Sequence, residues 1–279
     1  ALAATALAGQ APPSMVIREV NPEGLDALFA TGLIRQRGWR LAFEHGRIHS
    51  AAMQVALGRP NVRGLHDRLA DAWTRVGERT GADVDLPVGI HRLHAGNANA
   101  AVIPLLRAAR RTHSEGRFVL ALNASRLGVD AADRAGGTAA RAEARIRQAD
   151  ALNSQGMIEE SVKVIQEARD IGHLDRRTEA MLSLSLAHAE AARGDLGRAK
   201  QLLEHAEATF EATRDREGLI QTASAIARVY REQGHPEDAA RRFAKMLRLN
   251  RGDKRWEVQA LHGLVDARAA SGRIDGIEP

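Results

Sequence analysis

The sequence predicts a mainly all-α chain: a solenoid of stacked helical hairpins, preceded by a small α-rich domain that carries one short β-hairpin. Three observations carry this. Ala supplies 52 of the 279 residues, while aromatics are 3% and Pro only eight, an alphabet that favours helix and lacks the β-branched and aromatic strands of a sandwich or barrel. Gly116, Gly156, Gly194, Gly234 and Gly272 recur at spacings of 40, 38, 40 and 38. Counting from Gly96, Gly116, Gly156, Gly194 and Gly234, the fifth residue on is Ala101, Ala121, Ser161, Ala199 and Ala239, and the twelfth is Ala108, Gly128, Ala168, Ala206 and Met246. Nine of those ten are small, where composition alone would supply about three.

The elements follow in order. Asn21 and Pro22 cap and open a helix bearing Leu25, Leu28, Phe29 and Leu33. Arg37 and Gly38 turn, and Trp39, Leu41 and Phe43 alternate with polar neighbours, which predicts a hairpin around residues 36–43. A helix through Ile48, Ala51, Ala52 and Val55 follows, Pro60 interrupts, and Leu65, Leu69, Trp73 and Val76 form a stripe at helical spacing. In the second half each glycine separates two amphipathic runs. Ile226 and Tyr230 lie on one face before Gly234, and Ala239, Phe243 and Met246 continue the stripe after it. Glycine ends the first helix because it accepts the left-handed cap conformation, Pro236 suits the first turn of the next, and the small residues let the pair approach closely.

This pattern resembles the tetratricopeptide repeat. The stretches that carry the resemblance are SQGMIEESVKVIQEA, ARGDLGRAKQLLEHA and EQGHPEDAARRFAKM, with LAHAEAARG and IARVYREQG as first helices of their units. The period near 39 exceeds the common one of about 34. Upstream, LDALFATGLIRQRGWRLAFEHGRIHSAAM, LHDRLADAW and HRLHAGNANAAVIPLLRAA resemble the segment that joins the winged-helix end of a STAND-type signalling ATPase to its tetratricopeptide sensor. Leu28, Gly32, Leu33, Phe43, His45, Leu65, His66, His91, Ala95 and Gly96 carry that resemblance, and Asp67 departs from it. The resemblance implies a winged-helix-like domain over residues 1–60, a helical connector with irregular units over 61–138, and repeats over 139–279, the last truncated. It also implies a nucleotide-binding domain upstream in the same polypeptide, and a cytoplasmic bacterial regulator.

Chemistry is sparse. With no Cys, disulfides, thiolate metal sites and cysteine nucleophiles are excluded. No G-x-x-x-x-G-K-[ST], G-x-G-x-x-G or G-x-S-x-G occurs, so the chain is expected to be non-catalytic and to need no cofactor. Charges break every apolar stretch before membrane-spanning length, so no membrane partner is expected. His45 with His49 and His91 with His94 have helical spacing but lack further ligands, and they read as packing or capping residues. Glu159, Glu160, Glu204 and Glu207 read as solvated helix charges. Trp39 and Phe43 among Arg35, Arg37, Arg40 and Arg47 read as core packing with a solvated rim; the alternative is a basic wing on DNA. The basic excess, 16 Arg against 10 acidic groups in residues 1–128, is the other pointer to DNA.

The expected function is a protein-interaction and sensor module, with a protein or peptide partner in the concave groove of the repeats. Residues six and three before each repeat glycine are the expected groove lining: Asp150, Asn153, His188, Arg228, Arg231 and Asp266, with Ala191 and Ala269. Arg228 and Arg231, one turn apart, point to an acidic or phosphorylated partner element.

Overall fold

The computed structural model describes residues 1–9, 11–250 and 252–272, and its chain divides into two units, Ala1–Gly137 and Thr138–Pro279. In the first, α1 (Leu2–Leu7), α2 (Ser14–Val20) and α3 (Pro22–Ala30) precede a hairpin of β1 (Ile34–Arg37) and β2 (Arg40–Phe43), followed by α4 (Gly46–Leu57) and α5 (Val62–Thr80). The Asn21 side chain accepts the Gly24 N–H at 2.8 Å, the cap that starts α3 at Pro22. The strands pair antiparallel with Ile34 opposite Phe43 and Arg37 opposite Arg40. The hairpin thus starts two residues earlier than expected, because Ile34 is drawn into the core. That core joins Leu7, Ile17, Leu25 and Leu41 to Leu65, Leu69, Ala72 and Val76 of α5, so α5 shares one interior with α1–α4.

Trp39 corrects the expectation of core packing. It stands with Gly38 in the two-residue turn, and a side chain at that tip projects past the sheet, leaving it 55% exposed with the Arg40 guanidinium 4.2 Å from its ring centre. Phe43 is half-buried and meets the His49 ring edge to face. The same unit continues with α6 (Asp85–His94), α7 (Ala98–Ser114) and α8 (Phe118–Ala135), which turn at Gly96 and Gly116.

Among its described residues the second unit is three helical hairpins and one further helix: α9 (Thr138–Ser154) with α10 (Ile158–Arg169), α11 (Arg176–Ala192) with α12 (Leu196–Thr213), α13 (Arg216–Glu232) with α14 (Pro236–Leu249), and α15 (Lys254–Ala270). Gly156, Gly194, Gly234 and Gly272 each close a first helix with positive φ between 71° and 87°, the left-handed conformation that only glycine adopts without cost. All ten positions five and twelve residues past the glycines are buried. Ser161 Oγ donates to the Ala149 carbonyl at 3.1 Å, which puts the fifth position of the second helix against the first helix of the same hairpin. The fold is therefore mostly helical with tetratricopeptide-like repeats and one two-stranded antiparallel sheet.

Candidate functional site

The residues expected to line the repeat face all lie on the first helices of their pairs, α9, α11, α13 and α15. Most are engaged with the neighbouring repeat. Ser185 Oγ of α11 donates to Asp150 Oδ1 at 2.6 Å, and Asn153 Nδ2 donates to the Ser185 carbonyl at 2.9 Å. Asp150 also faces Arg147 at 3.7 Å. His188 is half-buried and engaged. Arg231 of α13 lies 3.8 Å from Asp266 of α15, which His262 also approaches at 3.4 Å.

Arg228 differs. It is exposed, and it has neither an ion pair within 4 Å nor a side-chain hydrogen bond to any described residue. Protein nonetheless surrounds it on its remaining sides. Burial pushes its guanidinium below the ordinary arginine range, the charge of Arg231 adds to this, and Glu232 opposes it.

Sequence reasoning missed the polar ladder between repeats. Asp150 with Ser185, Ser224 with Gln259, Glu207 with Arg242, and Arg231 with Asp266 are each 35 residues apart. The interval falls about one helical turn short of the repeat period, as expected where successive helices are staggered along their axes. Complementary polar residues at that interval are the signal that could have found them. Glu207 is a correction in the same vein. Instead of facing water it is buried on α12, where Arg242 Nη1 donates to it at 2.7 and 2.8 Å and Lys245 Nζ at 2.8 Å. Burial alone would raise its carboxyl, but the two cations outweigh that and hold it below the usual carboxylate range. Glu159 is solvent-facing as expected and pairs with Arg193 at 2.6 Å; Glu204 is exposed beside Lys200.

The histidines are dispersed. His49 Nε2 lies 3.3 Å from the Ala6 carbonyl, whereas His45 occupies the N-cap of α4 without a capping hydrogen bond from its side chain. His91 is buried against His66, Nδ1 to Nδ1 at 2.9 Å, so one ring donates and the other accepts. Burial and then the neighbouring imidazoles push His91 down to about 3, and burial with the His94 charge pushes His66 to about 4. Among the described residues no three His, Cys, Asp or Glu side chains converge as metal ligands would, and no helix is long and apolar enough to cross a membrane.

Residues 177–252 match the family model of the tetratricopeptide repeat. Among solved structures, the chain is similar to a Signal Transduction ATPase with Numerous Domains (STAND) protein with a tetratricopeptide repeat sensor from Pyrococcus horikoshii, at 16% identity and a TM-score of 0.68. That match covers 98% of this chain but 41% of the other, so the chain spans less than half of that relative's length. It is also similar to a Rap protein complexed with Competence and Sporulation Factor, at 12% identity and a TM-score of 0.53, over 93% of this chain and 80% of that one. No curated protein matches the sequence. At these identities the likeness is one of fold.

Proposed function

We propose that this chain is a non-catalytic protein-interaction and sensor module of a larger bacterial signalling ATPase or kinase, acting in the cytoplasm, with the nucleotide-binding domain upstream in the same polypeptide. A protein segment lies along the first-helix face of the repeats and places an acidic group on Arg228. The observation that carries this reading is Arg228 itself: an accessible arginine, enclosed enough to strengthen an ionic contact, with no ion pair among the described residues. Arg231 joins it only by leaving Asp266, a half-exposed pair that costs on the order of 0–1 kcal/mol to break. The Rap relative in complex with Competence and Sporulation Factor supports a ligand on this fold, and the STAND relative supports a sensor within a signalling ATPase.

The test is selection of a random peptide library on the purified chain. Enrichment of acidic sequences that bind Arg228→Glu weakly, while the melting temperature of that variant stays with the parent, supports the reading. Enrichment of basic sequences, or equal binding to both proteins, overturns it.

Trp39 and Arg40 at the hairpin tip favour a second reading, a wing that contacts DNA. The acidic residues Glu23 and Asp26, exposed on the α3 helix that precedes the hairpin, oppose it, since they would repel phosphates. A salt-dependent duplex shift that Trp39→Ala abolishes would favour the wing.

A further inference from the structure

The β-hairpin of the first unit carries three arginines on its outer side. Directly opposed residues of an antiparallel pair share a side, so the register puts Arg35, Arg37, Arg40 and Ala42 on the side away from the buried Ile34 and Leu41. Arg37 and Arg40 close the hairpin as an opposed pair of like charges, an arrangement that destabilises a sheet. The carboxylates of the flanking segments are committed elsewhere, Glu44 to Arg35 and Asp26 to Arg18. Local rules of this kind are broken mainly at functional or strained sites.

The tip is also braced. Gly38 takes a φ of +60°, the backbone that suits the first position of a two-residue hairpin turn, and Gln36 Nε2 donates to its carbonyl at 2.8 Å. The Trp39 carbonyl accepts from the Ser14 N–H at 2.9 Å and from Ser14 Oγ at 3.3 Å, while the Leu41 N–H donates to the Pro12 carbonyl at 2.8 Å. Residues 12–14 thus hold β2 along the edge away from β1. Arg40 Nη1 donates to the Ala11 carbonyl at 3.1 Å, which sets its guanidinium over one face of the Trp39 ring. The ring stays exposed, and the other N–H donors of Arg40 remain for a second acceptor.

We propose that this hairpin binds single-stranded nucleic acid, with a base stacked on the open face of Trp39 and the flanking phosphates on Arg37 and Arg40. An aromatic platform beside cations is what strand binders without sequence preference combine, and the phosphates relieve the opposed arginine pair. A winged module on a duplex also sets a helix into the groove, and the helix before this hairpin exposes Glu23 and Asp26. A strand on the hairpin alone needs no such helix. A lipid surface fits less well, because Trp39 is the one large apolar side chain that the hairpin exposes, and interfacial binding scales with buried apolar area. The inference is independent of the reading of Arg228.

The experiment titrates a fluorescein-labelled oligothymidylate of about ten nucleotides with the whole chain, reading anisotropy over a salt series. Saturable binding is expected, with log affinity falling against log salt at a slope of about −1.4, the value for two neutralised phosphates on a single strand. Trp39→Ala should weaken binding about tenfold, and its melting temperature should stay with the parent because the ring is exposed. Arg37→Gln should reduce the slope by about 0.7. Arg241→Gln removes the same charge from an exposed arginine of the second unit and should leave affinity and slope unchanged. Absence of saturable binding overturns the proposal, whether or not phosphatidylserine vesicles bind in its place. Equal weakening by Arg37→Gln and Arg241→Gln overturns it as an effect of net charge. Tighter binding of the oligothymidylate–oligoadenylate duplex than of the single strand overturns it in favour of the wing.

Discussion

Gly263 of α15 lies under the ring of Phe243 of α14, so that a Cβ at residue 263 would stand 2.3 Å from the ring Cζ. One repeat earlier Gly218 of α13 meets Phe210 of α12 in the same way, with Cδ1 at 2.5 Å. Both rings are buried, so neither can swing aside. Gly263→Ala and Gly218→Ala should therefore each lower stability by on the order of 1–3 kcal/mol, although alanine alone favours helix by roughly 1 kcal/mol. Denaturant unfolding checks this, and a gain in stability at either position would remove the close approach from the account.

Ala199 and Ala239, each at the fifth position past a repeat glycine, are fully buried. Replacement of either by Leu inserts volume into a helix–helix contact and should cost on the order of 1–3 kcal/mol. Thermal melts of the two variants that overlay the parent would show the repeat register to be wrong.

Glu207 makes acid sensitivity specific to the second unit. Its carboxyl is held below the ordinary range, so the stability it contributes is present above the unfolded carboxylate range and is lost as pH falls through the folded value. Glu207→Gln should flatten the stability profile at and below the usual carboxylate range. Near neutral pH it should cost on the order of 1–3 kcal/mol, because the acceptor of Arg242 and Lys245 loses its charge and one of its two oxygens. Urea midpoints across the acidic range measure both effects.

The His66–His91 pair acts in the first unit. Both imidazoles stay neutral in the fold down to about 4 and about 3, while the unfolded chain takes up protons near 6.5. The unfolded state then binds more protons as pH falls, so this pair's contribution to stability is constant above about 6.5 and declines from there toward 3. His91→Gln should reduce that decline. Unchanged acid dependence in the variant, followed by histidine proton resonances, would contradict the buried neutral pair.

The repeat was legible because its signals are local. A glycine with positive φ, a small residue five positions on and another at twelve are demands of one hairpin on its own backbone and packing, and each stretch of chain carries them. The α3 cap at Asn21 and the turn at Gly38 were readable for the same reason. Trp39 was not, since its fate depended on whether a two-residue turn placed it beyond the sheet.

The occupation of the candidate face depended on contacts between helices. Asp150, Asn153, Arg231 and Asp266 have the composition and spacing of a solvent-lined groove, yet each finds its partner on the first helix of the neighbouring repeat, 32 or 35 residues away. Arg228 lies on the same helix as Arg231, one turn earlier, and no described side chain pairs with it. Periodicity along one helix specifies which residues share a side. The stagger between helices, set by how side chains such as Phe243 and Gly263 interlock, selects which of those residues meet a partner within the chain.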